Sequence, residues 1–259
     1  MKFSTDYYDT PVSKKRCLID KCFFNARYYF YLMFFLIILK AKKVAKQGKF
    51  DDAEYCKISD NTFKLLENCG AKIHIKGLDN INKVEGPVVF IGNHQSILET
   101  FILPGLIIPH KPVSFVVKAS LINHALFGTI MKATNPISVT RTDPKKDLKS
   151  VMTGGARLLK EGRSIIVFPQ STRGNFIVNE FGSIGDKLAQ KNNVSIVPIA
   201  LKTDFWSNGK KFKDFGHIYR DREIFFEFGE PLGVDMDKKQ RHSTIVEFIE
   251  DRLNKWNAL

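Results

Sequence analysis

His94 and Glu99 are the first residues in this chain whose types and spacing suggest chemistry. His94 follows Pro87-Val88-Val89-Phe90-Ile91-Gly92, a short apolar run rich in β-branched residues, and Glu99 lies five positions further on. A neutral imidazole can take a proton from a hydroxyl when a carboxylate fixes its tautomer and stabilises the imidazolium that forms. The same stretch, Ser96-Ile97-Leu98-Glu99, also reads as a helix-capping box. Glu99 serves both roles only if its two oxygens are divided between the helix start and His94. His74, His110, His124, His217 and His242 have no acid or cysteine at metal-ligand spacing and read as structural. No metal is implied.

Two arginines stand in comparable places. Arg173 follows the apolar run ending in Val167-Phe168, within Phe168-Pro169-Gln170-Ser171-Thr172-Arg173. Arg141 ends Ile137-Ser138-Val139-Thr140-Arg141. A guanidinium in a loop after a buried strand is a natural clamp for phosphate, because its planar fork bonds two oxygens at once. Taken together, the two arginines would flank a histidine base with anion-binding groups.

These residues need a scaffold, and the hydrophobic pattern predicts one. Alternating or continuous apolar runs predict strands over 71–77, 87–92, 113–118, 136–140, 164–168, 195–201 and 223–228. Helical spacing predicts helices over 50–70, 97–108, 119–131, 143–159 and 241–256. Asp143-Pro144 supplies a cap and a first-turn proline, and Gly70 can end the first of these helices. Strands alternating with helices predict an α/β fold with a mostly parallel central sheet flanked by helices. In such sheets ligands bind at the carboxyl ends of the strands. His94, Arg141 and 170–173 each follow a strand, so the topology predicts their convergence.

The chain has 259 residues, 44% of them hydrophobic and 26% charged, with four cysteines. It can bury a core without staples, and collagen-like, disulfide-scaffold and polytopic membrane classes are excluded. Cys17, Cys22, Cys56 and Cys69 form no C-x-x-C pair and read as free thiols. The formal net charge is +13, and residues 1–50 carry 11 Lys or Arg against 3 Asp. Within them, 28–39 is an unbroken apolar run, shorter than the ~20 residues of a spanning helix. Lys14, Lys15, Arg16, Lys21 and Arg27 precede it, and Lys40, Lys42, Lys43, Lys46 and Lys49 follow. This pattern predicts residues 1–70 as a helical membrane-anchoring segment ahead of a domain over 71–259. The partner of residues 14–49 would be an anionic membrane surface; the flanks favour an in-plane or one-leaflet anchor, and a single tilted span stays open. No nucleic-acid recognition motif accompanies the basic run, and no nucleic-acid partner is expected.

Four blocks of the chain resemble the glycerolipid acyltransferase family, that is, the 1-acyl-sn-glycerol-3-phosphate acyltransferases. Asn93-His94-Gln95-Ser96-Ile97-Leu98-Glu99 resembles the motif N-H-x-x-x-x-D. Residues 137–141 resemble the block that ends in a substrate-contacting arginine. Residues 168–173 resemble F-P-E-G-T-R, and Ile196-Val197-Pro198-Ile199-Ala200-Leu201 resembles the fourth block. The resemblance covers about residues 70–230 and departs in two places. Glu99 stands for Asp, and Gln170-Ser171 stands for Glu-Gly.

The resemblance implies acyl transfer from acyl-CoA or acyl carrier protein to a lysophospholipid hydroxyl, with no cofactor. His94 would be the base and Glu99 its partner. Arg141 and Arg173 would bind the acceptor phosphate with help from Lys118, and Gln170 and Ser171 would lie in the acceptor-handling loop. Donors near Ser96 or Thr172 would serve the oxyanion. No G-x-S-x-G elbow is present, so no acyl-enzyme is expected. A different acceptor, such as a lyso-ornithine lipid or another lysophospholipid, stays open. So does a catalytically inactive membrane-binding relative. The late acyltransferases of lipid A share the H-x-x-x-x-E pair but not the proline-containing third and fourth blocks.

Overall fold

A computed structural model describes residues 6–22, 27–170 and 172–258 of the chain. In chain order, the described strands and α-helices are β1 (Tyr8–Asp9), α1 (Leu18–Cys22), α2 (Tyr28–Lys46), α3 (Asp52–Asn68), β2 (Ile73–Lys76), β3 (Val89–Gly92), α4 (Leu98–Ile107), β4 (Val113–Lys118), α5 (Ala119–Ile122), α6 (Gly128–Ala133), β5 (Ile137–Val139), α7 (Pro144–Lys160), β6 (Ser164–Val167), α8 (Ile184–Lys191), β7 (Ile196–Lys202), β8 (Ile224–Phe228) and α9 (Lys238–Asn257).

The strands described form one sheet in the order β1-β2-β8-β7-β3-β6-β4-β5. The block β7-β3-β6-β4-β5 is parallel throughout. β8 runs antiparallel to β7, and β2 pairs in parallel with β8. The mostly parallel sheet expected from the pattern is therefore present, with a reversed pair towards one edge. β3, the strand before His94, lies inside the parallel block with β7 and β6 on either side, and all four of its residues are buried. Burial on both faces is why Val89-Phe90-Ile91-Gly92 reads as a continuous rather than an alternating apolar run.

One hydrophobic cluster, from Phe30 to Phe228, joins α2, α3 and α4 to one face of the sheet. A second, including Val151, Leu158, Leu188, Ile245 and Ile249, fills the opposite face under α7, α8 and α9. The long helices start as their sequences dictate. The Asp51 carboxylate accepts the Glu54 N–H at 2.9 Å, and Asp143 accepts the N–H groups of Lys145 and Lys146.

The N-terminal segment contributes to this core. Phe30, Phe34, Ile38 and Ala41 recur at helical spacing along α2 and are buried. Phe34 meets Phe101 edge-on, with ring centres 4.8 Å apart, and both Phe30 and Phe34 meet Trp206. The other side of α2 exposes Tyr28, Leu32, Phe35, Leu36 and Leu39. Among the described residues no helix is long and apolar enough to cross a membrane. The upstream part of the apolar segment, 23–26, lies outside the described residues.

Two local expectations differ from the structure. The single helix expected over 119–131 is two short helices, because His124 Nδ1 accepts the N–H groups of Leu126 and Phe127 at 3.2 and 3.4 Å. A side-chain acceptor that takes these backbone donors interrupts the helical ladder. Helix α8 carries no signal in the sequence reading. It is held by a buried ion pair, Arg241 Nε to Asp186 Oδ1 at 2.5 Å, in which both side chains are inaccessible to solvent. Removing one member of such a pair strands the other charge in the core. Asp186→Ala is expected to lower unfolding free energy by about 3–5 kcal/mol. Urea unfolding checks this, and a loss below about 1 kcal/mol would mean that water or other groups satisfy Arg241.

Candidate functional site

The described residues singled out in the sequence, His94, Lys118, Arg141, Gln170, Thr172 and Arg173, gather at the carboxyl edge of the parallel block. His94 follows β3, Lys118 ends β4, Arg141 follows β5, and Gln170, Thr172 and Arg173 follow β6. His94 Nδ1 lies 2.5 Å from Glu99 Oε2. Glu99 is fully buried, and its other oxygen accepts the N–H groups of Gln95 and Ser96 at 2.9 and 2.8 Å. The carboxylate is thus divided between the helix start and the imidazole, as the overlap of the two patterns requires. With Nδ1 committed to Glu99, Nε2 is the ring nitrogen left for a substrate proton.

The imidazole is held on Nδ1 and on one face, and the backbone of His94 is held as well. Phe168 stacks on it, with ring centres 4.3 Å apart and planes 5° from parallel. The His94 N–H donates to Gln170 Oε1 at 2.7 Å, and the His94 carbonyl accepts the Gly174 N–H at 3.0 Å. Asn93 bridges to β7 through both its amide atoms, donating to the Leu201 carbonyl and accepting the Leu201 N–H. The strand-to-helix turn that carries His94 is therefore pinned to both neighbouring strand ends.

His94 opens on a cavity of about 310 Å³. One part of its wall is polar: Lys118, Arg141, Thr172, Arg173, Lys213 and Asp214. The rest is mostly apolar, with Ile97, Phe101, Phe115, Val117, Leu121, Phe127 and Met131 beside Tyr55, Thr100 and Ser120. The space suits a molecule with an anionic group at one end and a hydrocarbon chain at the other.

Arg141 stands at φ 64°, a left-handed conformation that non-glycine residues seldom adopt. Asp147 at the start of α7 holds it there, accepting the N–H groups of Thr140 and Arg141 at 2.6 Å each. Burial and the nearby Arg173 guanidinium lower the pKa of Arg141. Arg173 is paired with Asp214 at 2.6 Å.

The other sequence candidates fall differently. Gln170 and Ser96 are buried and do not line the cavity. Gln170 joins the His94 N–H to the Asn175 carbonyl, which its amide reaches at 3.1 Å. Ser96 Oγ accepts the Leu98 N–H. Both hold backbone around His94 rather than facing a ligand. Ser171 lies outside the described residues.

Sequence reasoning missed Thr203, whose buried hydroxyl donates to Glu99 Oε1 at 2.5 Å. It also missed Lys213 and Asp214. All three follow β7 or lie in the long connection to β8, and no local spacing ties them to His94.

The fold and the site put the chain in the class of α/β proteins that hold a histidine–carboxylate pair at the carboxyl edge of a mostly parallel sheet. Within that class it belongs to the Acyltransferase family, whose model matches residues 72–202. A 1-acyl-sn-glycerol-3-phosphate acyltransferase of Pseudomonas aeruginosa is 34% identical over 134 residues, which cover 51% of this chain and 49% of that one. A chloroplastic 1-acyl-sn-glycerol-3-phosphate acyltransferase of Arabidopsis thaliana is 32% identical over 134 residues, 50% of this chain and 36% of that one. The chain thus spans about half or less of the length of these relatives. The crystal structure of the 1-acyl-sn-glycerophosphate acyltransferase PlsC from Thermotoga maritima shares the fold. It superposes with a TM-score of 0.62 at 17% identity, covering 93% of this chain and 96% of that one.

Proposed function

We propose that the chain transfers an acyl group from a thioester, on coenzyme A or acyl carrier protein, to the free hydroxyl of 1-acyl-sn-glycerol-3-phosphate, forming phosphatidic acid. The observation that carries this reading is the His94–Glu99 pair set beside a cavity lined both by a cluster of cations and by apolar side chains. The names of the Pseudomonas and Arabidopsis relatives agree with it.

His94 Nε2 takes the hydroxyl proton as the oxygen attacks the thioester carbon. The tetrahedral intermediate collapses, the C–S bond breaks, and the imidazolium returns the proton to the departing thiolate. Glu99 keeps the proton of the resting imidazole on Nδ1 and stabilises the imidazolium. Arg141 and Arg173, with Lys118 near them, bind the acceptor phosphate. Thr172 is a donor available to the oxyanion.

Residues 14–49 meet an anionic membrane surface in this reading. The exposed apolar side of α2 dips into the interface, while Lys40, Lys43 and Lys46, all exposed, face lipid phosphates. Residues 1–70 are then the membrane-facing part and 71–259 the acyltransferase domain.

The test is a panel of lysolipid acceptors offered with labelled acyl-CoA or acyl carrier protein. Transfer to 1-acyl-sn-glycerol-3-phosphate supports the reading. Exclusive transfer to a lyso-ornithine lipid or another lysophospholipid would keep the chemistry and replace the acceptor. No transfer to any acceptor by folded, membrane-bound protein would leave an inactive relative. Thr203→Val removes one donor from the Glu99 carboxylate and is expected to lower kcat about tenfold with little change in KM. An unchanged kcat would show that the backbone donors suffice to hold Glu99.

A further inference from the structure

We propose that Lys213, on the connection between β7 and β8, is a further cationic ligand for the acceptor's phosphate, and that Asp214 beside it positions Arg173. The inference rests on the function proposed above and assigns a role to a segment outside the four family-like blocks.

The connection spans 203–223, and its first half folds back over the site. Asn208 donates to the Gln95 carbonyl at 2.8 Å, and Trp206 Nε1 donates to the Asp214 carbonyl at 3.2 Å. The arch closes on itself through the Gly209 N–H to the Lys213 carbonyl at 3.1 Å and the Ser207 N–H to the His217 carbonyl at 3.0 Å. Two glycines permit this. A Cβ on Gly209 would lie 2.2 Å from the Phe212 carbonyl oxygen, and one on Gly216 would lie 1.9 Å from that of Ser207. Tyr31 of α2 also donates to the Gly216 carbonyl at 2.7 Å. The segment is thus tied at both ends and along its length, and what it holds at its tip is Lys213 and Asp214.

Both residues line the cavity that His94 opens on. Lys213 Nζ donates to Thr172 Oγ1. Burial and the guanidiniums of Arg173 and Arg141 push the Lys213 ammonium below its usual range. Four cations, Lys118, Arg141, Arg173 and Lys213, line the cavity and repel one another, and among the described lining residues Asp214 offsets one of them. A lining with three positive charges in excess fits a phosphomonoester, which carries about −1.5 to −2 at neutral pH, better than a singly charged phosphodiester. Asp214 binds one edge of the Arg173 guanidinium, fixing the plane in which the remaining donors lie.

The experiment is steady-state kinetics of wild type, Lys213→Met and Lys213→Arg on two acceptors that share a glycerol core. These are 1-acyl-sn-glycerol-3-phosphate, a monoester, and lysophosphatidylglycerol, a diester. Lys213 is exposed at the cavity rim, so its replacement leaves the fold standing, and a melting curve checks this. Lys213→Met is expected to raise KM for the monoester about 10- to 100-fold with kcat changed less than about threefold. The preference for monoester over diester should fall at least about fivefold, and Lys213→Arg should restore most of it.

An active wild type whose Lys213→Met variant keeps the same monoester KM overturns the inference alone. So does a loss shared equally by both acceptors, which is what a merely structural lysine would give. A wild type that transfers to neither acceptor overturns the proposed function and this inference with it.

Discussion

His94→Ala is expected to reduce acyl transfer about 100- to 10,000-fold, the range that a positioned general base supplies. A lysolipid hydroxyl in neutral water is a poor nucleophile, and among the described residues that line the cavity His94 carries the one imidazole. The imidazole is locked by Phe168 on its face and Glu99 on Nδ1, so its orientation costs nothing at the moment of reaction. Alanine leaves Gln170 and Gly174 their backbone partners at position 94, so the loop keeps its course. The loss should therefore fall on kcat, with lysolipid binding measured in vesicles unchanged. Residual transfer within about threefold of wild type would remove His94 from the chemistry.

Glu99→Gln is the second prediction, with an expected loss of about a thousandfold in kcat. Glu99 accepts four hydrogen bonds, from His94, Gln95, Ser96 and Thr203. An amide offers one acceptor oxygen and one donor nitrogen. If the nitrogen faces His94, the ring proton moves to Nε2 and the base cannot receive the substrate proton. If it faces the other way, two backbone N–H groups and a hydroxyl confront a donor. Glu99→Asp keeps the charge but is one methylene short of groups now reached at 2.5–2.9 Å. It is expected to lose about 10- to 100-fold. The ordering of wild type, then Glu99→Asp, then Glu99→Gln separates a requirement for charge from one for shape. Equal kcat values for the Glu99→Gln and Glu99→Asp variants would contradict the role given to the carboxylate.

Much of this was legible from the residues in order. Val89 to Gly92, 164–167 and 196–201 are short, rich in β-branched residues and buried on both faces, as strands inside a covered sheet are. Once those strands are drawn, His94, Arg141 and Arg173 must share one edge. The double use of Glu99 was written in the overlap of S-x-x-E with H-x-x-x-x-E. What was hidden depends on distant pairing. Thr203 reaches Glu99 across 104 positions, and Asp214 reaches Arg173 across 41. The break at His124 is a contest between a ring nitrogen and the helix ladder that periodicity does not register. The apolar run of α2 reads as a lipid-facing segment, yet Phe30, Phe34 and Ile38 spend one side of it on the core. The N-terminal helix thereby joins the site, since Phe101, which Phe34 touches, lines the cavity.

The central claim is direct transfer from a thioester to a lysolipid hydroxyl, and one single-turnover measurement tests it. Protein on anionic vesicles is mixed with labelled acyl-CoA or acyl carrier protein, with and without 1-acyl-sn-glycerol-3-phosphate. Label in lipid, label on protein and free thiol are then counted. The account predicts labelled phosphatidic acid and free thiol in equal amounts, only when acceptor is present, with no label on denatured protein. Thiol release with label on the protein in the absence of acceptor would contradict direct attack. No label in lipid under any condition would contradict the account as a whole.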